Sequence, residues 1–301
     1  MAVPVHEIAA LSAAACWAVA SLVAHGPARE LGGFTFNRIR SLIVVTMLAG
    51  LASLSGGWST LAPEHLGALI LSGFIGMFVG DTALFAGLRR VGPRRMGVLF
   101  ATSAPMTAAL GFVFLGEVPA WEDLLGCALV IGGVMLAIVH GGGGGRGHTS
   151  RFEATDGPLG LGVLIGLLAA LCQAVGIVIA KPAMASGVDA VAASALRVGA
   201  AALCLVIGSR LPIKQFQPIN PVRRRHVLRI TVSGFLGMAL GMTLLLYALE
   251  AGDAAVVVAL SSTAPVVLLP ILWLRTRERP APGAWAGAIL VVIGTAIVLR
   301  P

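Results

Sequence analysis

Ten apolar runs, each about twenty residues long, follow one another along this chain, and they leave little choice of solvent. They lie near 5–25, 34–54, 65–88, 94–116, 121–139, 158–180, 189–209, 227–249, 254–274 and 281–299. A run of about 20 apolar residues is the length that crosses a bilayer as a helix. Backbone amides have no water to bond inside lipid, so such runs must pair their own N–H and C=O groups as helices. Charged residues make up only 11% of the 301, against roughly a quarter in a soluble domain. That is too little polar surface to cover a core in water. The expected fold is therefore all-α integral membrane, with ten transmembrane helices.

The net charge of +8 would suggest a nucleic-acid partner in a soluble protein. Here the basic residues sit in short loops between apolar runs, which suits anionic lipid headgroups and predicts no nucleic-acid partner. Cys16, Cys127, Cys172 and Cys204 each lie inside an apolar run with no CxxC pair. They read as small hydrophobes, and neither disulfide nor metal site is expected. No basic region precedes the first run, which is expected to be a spanning helix and not a cleaved signal peptide.

The chain also copies itself. GFIGMFVGDT (73–82) and GFLGMALGMT (234–243) share six of ten positions, and the clear difference is Asp81 against Met242. ATSAP (101–105) matches SSTAP (261–265), and CWAVA (16–20) matches CQAVG (172–176). Glu117 pairs with Glu278, Gly126 with Gly287, Gly133 with Gly294, and Arg40 falls near Arg197. A Gly-rich stretch at 140–157 separates residues 1–139 from 158–301. It lacks the Lys-Ser/Thr of a phosphate loop and reads as a linker. Each half holds five spans. An odd number sends the second half into the membrane from the opposite face, so two inverted five-helix repeats are expected, with substrate bound between them near the midplane.

The order of these motifs resembles the EamA-type drug/metabolite transporter superfamily: Trp17 in the first span, Arg40 early in the second, Ala104-Pro105 running to Leu115-Gly116-Glu117, then Gly126 and Gly133. The resemblance covers nearly the whole chain, twice. It implies a ten-helix carrier, many such carriers being exporters of amino acids and other metabolites. The second half departs from the pattern, because LRTRE (274–278) stands where the first has LGE.

Sixteen of the 21 Lys and Arg fall in the odd-numbered loops, whereas Lys181 and Arg300 alone lie on the other side. The positive-inside rule then puts the odd loops in the cytoplasm and both termini outside. The resemblance implies the opposite, with both termini inside.

Asp81 lies deep in the third span. An ionised carboxylate there must face a partner or water. It reads either as a proton, cation or counter-charge site, or as an acid paired with an arginine to fix packing. Arg38 and Arg40 are expected to snorkel to the headgroups. Arg197 lies deeper, where it could pair with Asp81 or grip a substrate carboxylate. Pro105 and Pro265 each remove a backbone donor in mid-helix. Ser103 and Thr263, with their hydroxyl neighbours, would heal the break or line a site, and the two prolines are candidate hinges. Trp17 and Gln173 occupy equivalent places. Eight residues on come His25 and Lys181, read as solvated anchors. Thr82, Thr243 and Tyr247 complete the candidates for the cavity, and the repeated glycines are assigned to close helix packing.

The expected function is secondary active transport of small polar metabolites such as amino acids, outward in direction by the resemblance, through alternating access with Asp81 as a coupling group. No cofactor and no enzyme activity is expected, since one deep carboxylate makes neither a metal site nor an acid–base pair. A lipid or lipid-linked translocase, an intramembrane lipid-modifying enzyme and a non-transporting scaffold are the alternatives. The expected location is the cell membrane, multi-pass, in a bacterial inner membrane, with the oligomeric state open and a monomer plausible.

Overall fold

The computed structural model describes residues 5–140, 158–213, 216–276 and 281–298. The Gly-rich linker from 141 and Glu278 lie outside the described residues, as do the side chains of His25 and Pro265. Nine described helices are long and apolar enough to span a membrane. They are α1 (Val5–Leu31), α2 (Gly33–Ser55), α3 (Pro63–Leu88), α4 (Met96–Leu115), α5 (Trp121–His140), α6 (Leu159–Ala185), α7 (Ala190–Gly208), α8 (Arg224–Ala248) and α9 (Ala254–Ile271). A shorter apolar helix of 17 residues, α10 (Pro282–Val298), completes the ten.

The surface is inside out relative to a soluble bundle. Leu54, Phe112, Val113, Phe114, Leu164 and Leu203 are exposed, while many Ala and Ser residues and Arg197 are buried beside Leu, Val and Met. Lipid tails solvate large apolar side chains as well as a core would, so helix contact relies on small residues and close packing.

That packing reveals the relation between the halves. A Cβ on Gly126 would meet the Gly294 carbonyl at 2.9 Å, and one on Gly133 would meet the Gly287 carbonyl at 2.6 Å. The ascending glycines of α5 thus rest on the descending glycines of α10, and the two helices run antiparallel. Because Gly126 corresponds to Gly287 and Gly133 to Gly294, each glycine touches the counterpart of the other. Such reciprocal contact is the mark of a two-fold axis. With antiparallel helices, that axis lies across the spans, which is the inverted arrangement.

The same reciprocity recurs elsewhere. α3 packs on α6 and α7, and its counterpart α8 packs on α1 and α2. Gly73 lies against the Arg197 backbone, whereas Gly234 lies against Arg40. The Ser72 hydroxyl donates to the Gly176 carbonyl, and the Ser233 hydroxyl donates to the Ala20 carbonyl at 3.2 Å. The duplicated GFxGMxxG segments share a further feature: Gly73–Gly80 in α3 and Phe235–Leu240 in α8 are both wound as π-helix. Sequence alone assigned these glycines only to packing. The wider turn appears because a glycine-lined face lets α6 and α1 press in, and π-turns gather at functional sites.

The proline breaks are present in both halves. α-Helical bonding is interrupted at Thr102 and again at Ser262–Thr263, just before Pro105 and Pro265. The nearby hydroxyls bond within their own turn: Thr102 to the Leu99 carbonyl, Ser262 to Val258 and Thr263 to Leu260. Ser103 is buried, and its carbonyl takes the Thr107 hydroxyl. These hydroxyls add a second bond to carbonyls that already accept a backbone amide in the same turn.

Candidate functional site

The Gly73–Gly80 π-turn ends at Asp81, and the carboxylate points at α2. Arg40 Nη2 lies 3.0 Å from Asp81 Oδ2. The same nitrogen also donates to Asn37 Oδ1 at 3.1 Å. Phe36 and Phe85 flank the guanidinium, with ring centroids 5.4 and 5.5 Å away. Arg40 therefore does not snorkel, contrary to the sequence expectation. A carboxylate and two ring faces one helix away solvate its charge better than a climb to the headgroups would.

Arg197, the counterpart of Arg40 on α7, has no such company. It is fully buried, 0% exposed. Its Nη1 reaches Met242 Sδ at 3.5 Å, and Met242 stands where the other half has Asp81. Its Nε and Nη2 have no hydrogen-bond partner among the described residues. The Asp81 charge acts on Arg197 through space without a direct bond. Thr82 Oγ1, Asn37 Nδ2 and Arg40 Nε are likewise buried and unpaired. Orphaned polar atoms are uncommon in native proteins, and so many in one region call for an explanation. Two guanidiniums and one carboxylate leave the region with a net charge of +1.

The other predicted residues are scattered. Trp17 Nε1 donates to the Gly237 carbonyl at 2.7 Å and so supports the α8 π-turn. Thr243 donates to Ser194 at 3.1 Å, which ties α8 to α7. Gln173 is half-buried on α6. Tyr247 stacks on His6 in the first turn of α1, ring centroids 5.0 Å apart, and so belongs to the membrane face, away from the Asp81 cluster. Lys181 differs from expectation too. Its Nζ donates to the carbonyls of Leu249 (2.8 Å) and Gly252 (2.6 Å) just past the end of α8, where a cation suits the helix dipole.

Glu30, His226, Asn220, His65 and Ser186, which sequence reasoning left aside, join helix ends. His226 Nε2 and Arg225 Nη2 lie 2.8 and 2.9 Å from Glu30 Oε2, joining the end of α1 to the start of α8. Asn220 donates to the Glu30 carbonyl at 2.7 Å. On the opposite face, His65 Nε2 lies 2.8 Å from Ser186 Oγ, joining the start of α3 to the end of α6. The offset of 161 residues that relates the glycines also relates His65 to His226, so this signal was present in the chain. Hydrogen bonding from His226 holds the Glu30 carboxyl below its ordinary range, with Arg225 adding to the effect. Glu117 accepts from the Ala254 amide at 3.0 Å and caps α9. Burial pushes its carboxyl up, and that amide bond opposes the shift.

The EamA-like transporter family matches the chain twice, over residues 5–139 and 160–300. The chain belongs to the EamA-like transporter family. It is accordingly a multi-pass membrane protein of a transporter family. An "Uncharacterized transporter" of Archaeoglobus fulgidus is 24% identical over 292 residues, 97% of this chain and 96% of its own. A protein of known crystal structure superposes with a TM-score of 0.77 over 97% of this chain and 95% of its own. Its identity is 17%, so this likeness speaks for the fold. The two family matches leave out the stretch between 139 and 160, which brackets the Gly-rich segment.

Proposed function

We propose that this EamA-family transporter is a secondary active exporter of small polar metabolites such as amino acids, working by alternating access with Asp81 as its coupling carboxylate. One observation carries the reading: the part-buried Arg40–Asp81 pair and the fully buried, unpaired Arg197 lie where the two inverted halves meet. A lipid substrate would favour charges opening toward the acyl chains, whereas Arg197 is fully buried. Protonation of Asp81 would release Arg40 and so link proton movement to rearrangement of α2 and α3. The glycine-lined π-turns and the paired helix breaks supply surfaces on which one half can tilt against the other. The two histidine contacts join α1 to α8 at one face and α3 to α6 at the other, as paired gates require. We place the Glu30 face, which carries the arginines of the odd-numbered loops, in the cytoplasm.

The test is solute counterflow in proteoliposomes across imposed pH gradients, comparing the wild type with Asp81→Asn. The expected result is pH-driven flux for the wild type and loss of either flux or coupling for the variant. Normal flux by Asp81→Asn at every pH would remove Asp81 from the mechanism.

A further inference from the structure

We infer that Arg197 is the anion subsite of this transporter and that its substrates carry a carboxylate. The inference rests on the transport reading above and narrows its substrate class.

The two halves build the same arginine position and complete it differently. In the first half, Arg40 has a carboxylate at 3.0 Å, an amide oxygen at 3.1 Å and two aromatic faces. In the second, Met242 replaces the carboxylate, and a thioether sulfur at 3.5 Å is a weak, neutral acceptor. The guanidinium is nevertheless 0% exposed, deeper than Arg40. A buried charge without a counterion is costly, so a structure that keeps one has a use for it.

The pattern of unmet valence specifies the ligand. Nη1 is the nitrogen that touches Met242, while Nε and Nη2 are the two without partners. These two lie on one edge of the guanidinium, the side-on fork that takes both oxygens of a planar carboxylate. That edge is turned to the α3 π-turn: a Cβ on Gly76 would lie 3.5 Å from Nη2. Gly76 in turn rests on Gly176, so the fork sits where glycines let α3 slide on α6. Asp81 acts electrostatically on both arginines but bonds only Arg40, so one positive charge is left for a substrate to neutralise. A zwitterion could also set its ammonium against Asp81. A cation would find the fork repulsive, and a neutral amine offers it one lone pair where a carboxylate offers two oxygens.

Two readouts separate this inference from the transport reading. The first is thermal unfolding of the purified full chain in detergent. It is titrated with the common L-amino acids, acetate and benzoate, then with the matching amides leucinamide, phenylalaninamide and benzamide. The second is counterflow of the same compounds in proteoliposomes. At least one carboxylate is expected to raise the melting temperature and exchange, with its amide weaker by about tenfold or more. Arg197→Gln is expected to lose that preference, and Arg197→Lys to keep part of it. Met242→Asp gives Arg197 an internal counterion, so it should fold well and lose carboxylate binding. Exchange of amides as readily as acids, or full carboxylate binding by Arg197→Gln or Met242→Asp, would overturn the anion subsite and leave the transport reading standing. Stabilisation by a carboxylate without any exchange would support the subsite and count against transport. Absence of both responses would count against both.

Discussion

The two halves of this transporter differ most plainly in one ion pair and in one contact between helix ends, while their packing is much alike. Arg40 and Arg197 lie on matching glycines, and Ser72 and Ser233 bond matching carbonyls. Both GFxGMxxG segments form π-turns. Yet Arg40 meets Asp81 while Arg197 meets Met242, and His226 meets a carboxylate while His65 meets a hydroxyl. Packing contacts need only small residues at matching depths, so both copies keep them. Confining the acid to one half leaves a charged pair beside an unmet charge, and the site becomes asymmetric on a symmetric scaffold.

Making the first half resemble the second should have the largest effect. Asp81→Met leaves Arg40 buried without its counterion. A loss of about 3 kcal/mol in stability is expected, together with loss of flux. Thermal unfolding and counterflow read the two; an unchanged melting temperature would mean that the Arg40–Asp81 pair contributes nothing to the fold. Gly133→Val attacks what the halves share. Its side chain would collide with the Gly287 carbonyl, which a Cβ already approaches to 2.6 Å. A cost of about 2 kcal/mol is expected, and Gly287→Val should match it because the contact is reciprocal. Widely different costs for the two would break the two-fold relation at this helix pair.

Making the second half resemble the first should be milder and of opposite sign. Met242→Asp is expected to raise stability by on the order of 1 kcal/mol, since it supplies a counterion to a charge already buried. A lower melting temperature would show that Arg197 is better off beside sulfur. The gates come last. Glu30 has its carboxyl held below the ordinary value of 4.5, first by the His226 hydrogen bond. A depressed native pKa gives stability that is complete above pH 4.5 and fades as pH falls through the lowered value. Glu30→Gln should therefore loosen the α1–α8 contact at pH 7, seen as faster amide exchange at the start of α8, and should converge with the wild type in acid. Exchange at α8 that is identical with and without the Glu30 carboxylate would dismiss the latch. A reporter active only in the cytoplasm, fused to Pro301, should stay dark if the arginine-rich face is inside.

The runs of apolar residues determined by themselves that the chain crosses a membrane as helices, because lipid offers a backbone no other partner. The duplicated motifs, with an odd number of spans per copy, likewise determined the inversion before any contact was seen. Asp81 and Arg197 stood out because charges are scarce in such runs. What the chain could not decide was which charges meet. Arg40 lies close to a helix end in the sequence, so snorkelling was the simpler expectation. Only the approach of α2 to α3 gave it Asp81 instead. By sequence Tyr247 was a cavity candidate and Lys181 a solvated anchor; the fold sent one to stack on His6 and the other to cap α8. Glu30 and His226 are 196 residues apart, and only tertiary structure brings them together. Hydropathy and repetition are properties of local sequence and survive in one dimension. Pairing between helices depends on rotation and depth, which side-chain packing fixes only after the chain has folded.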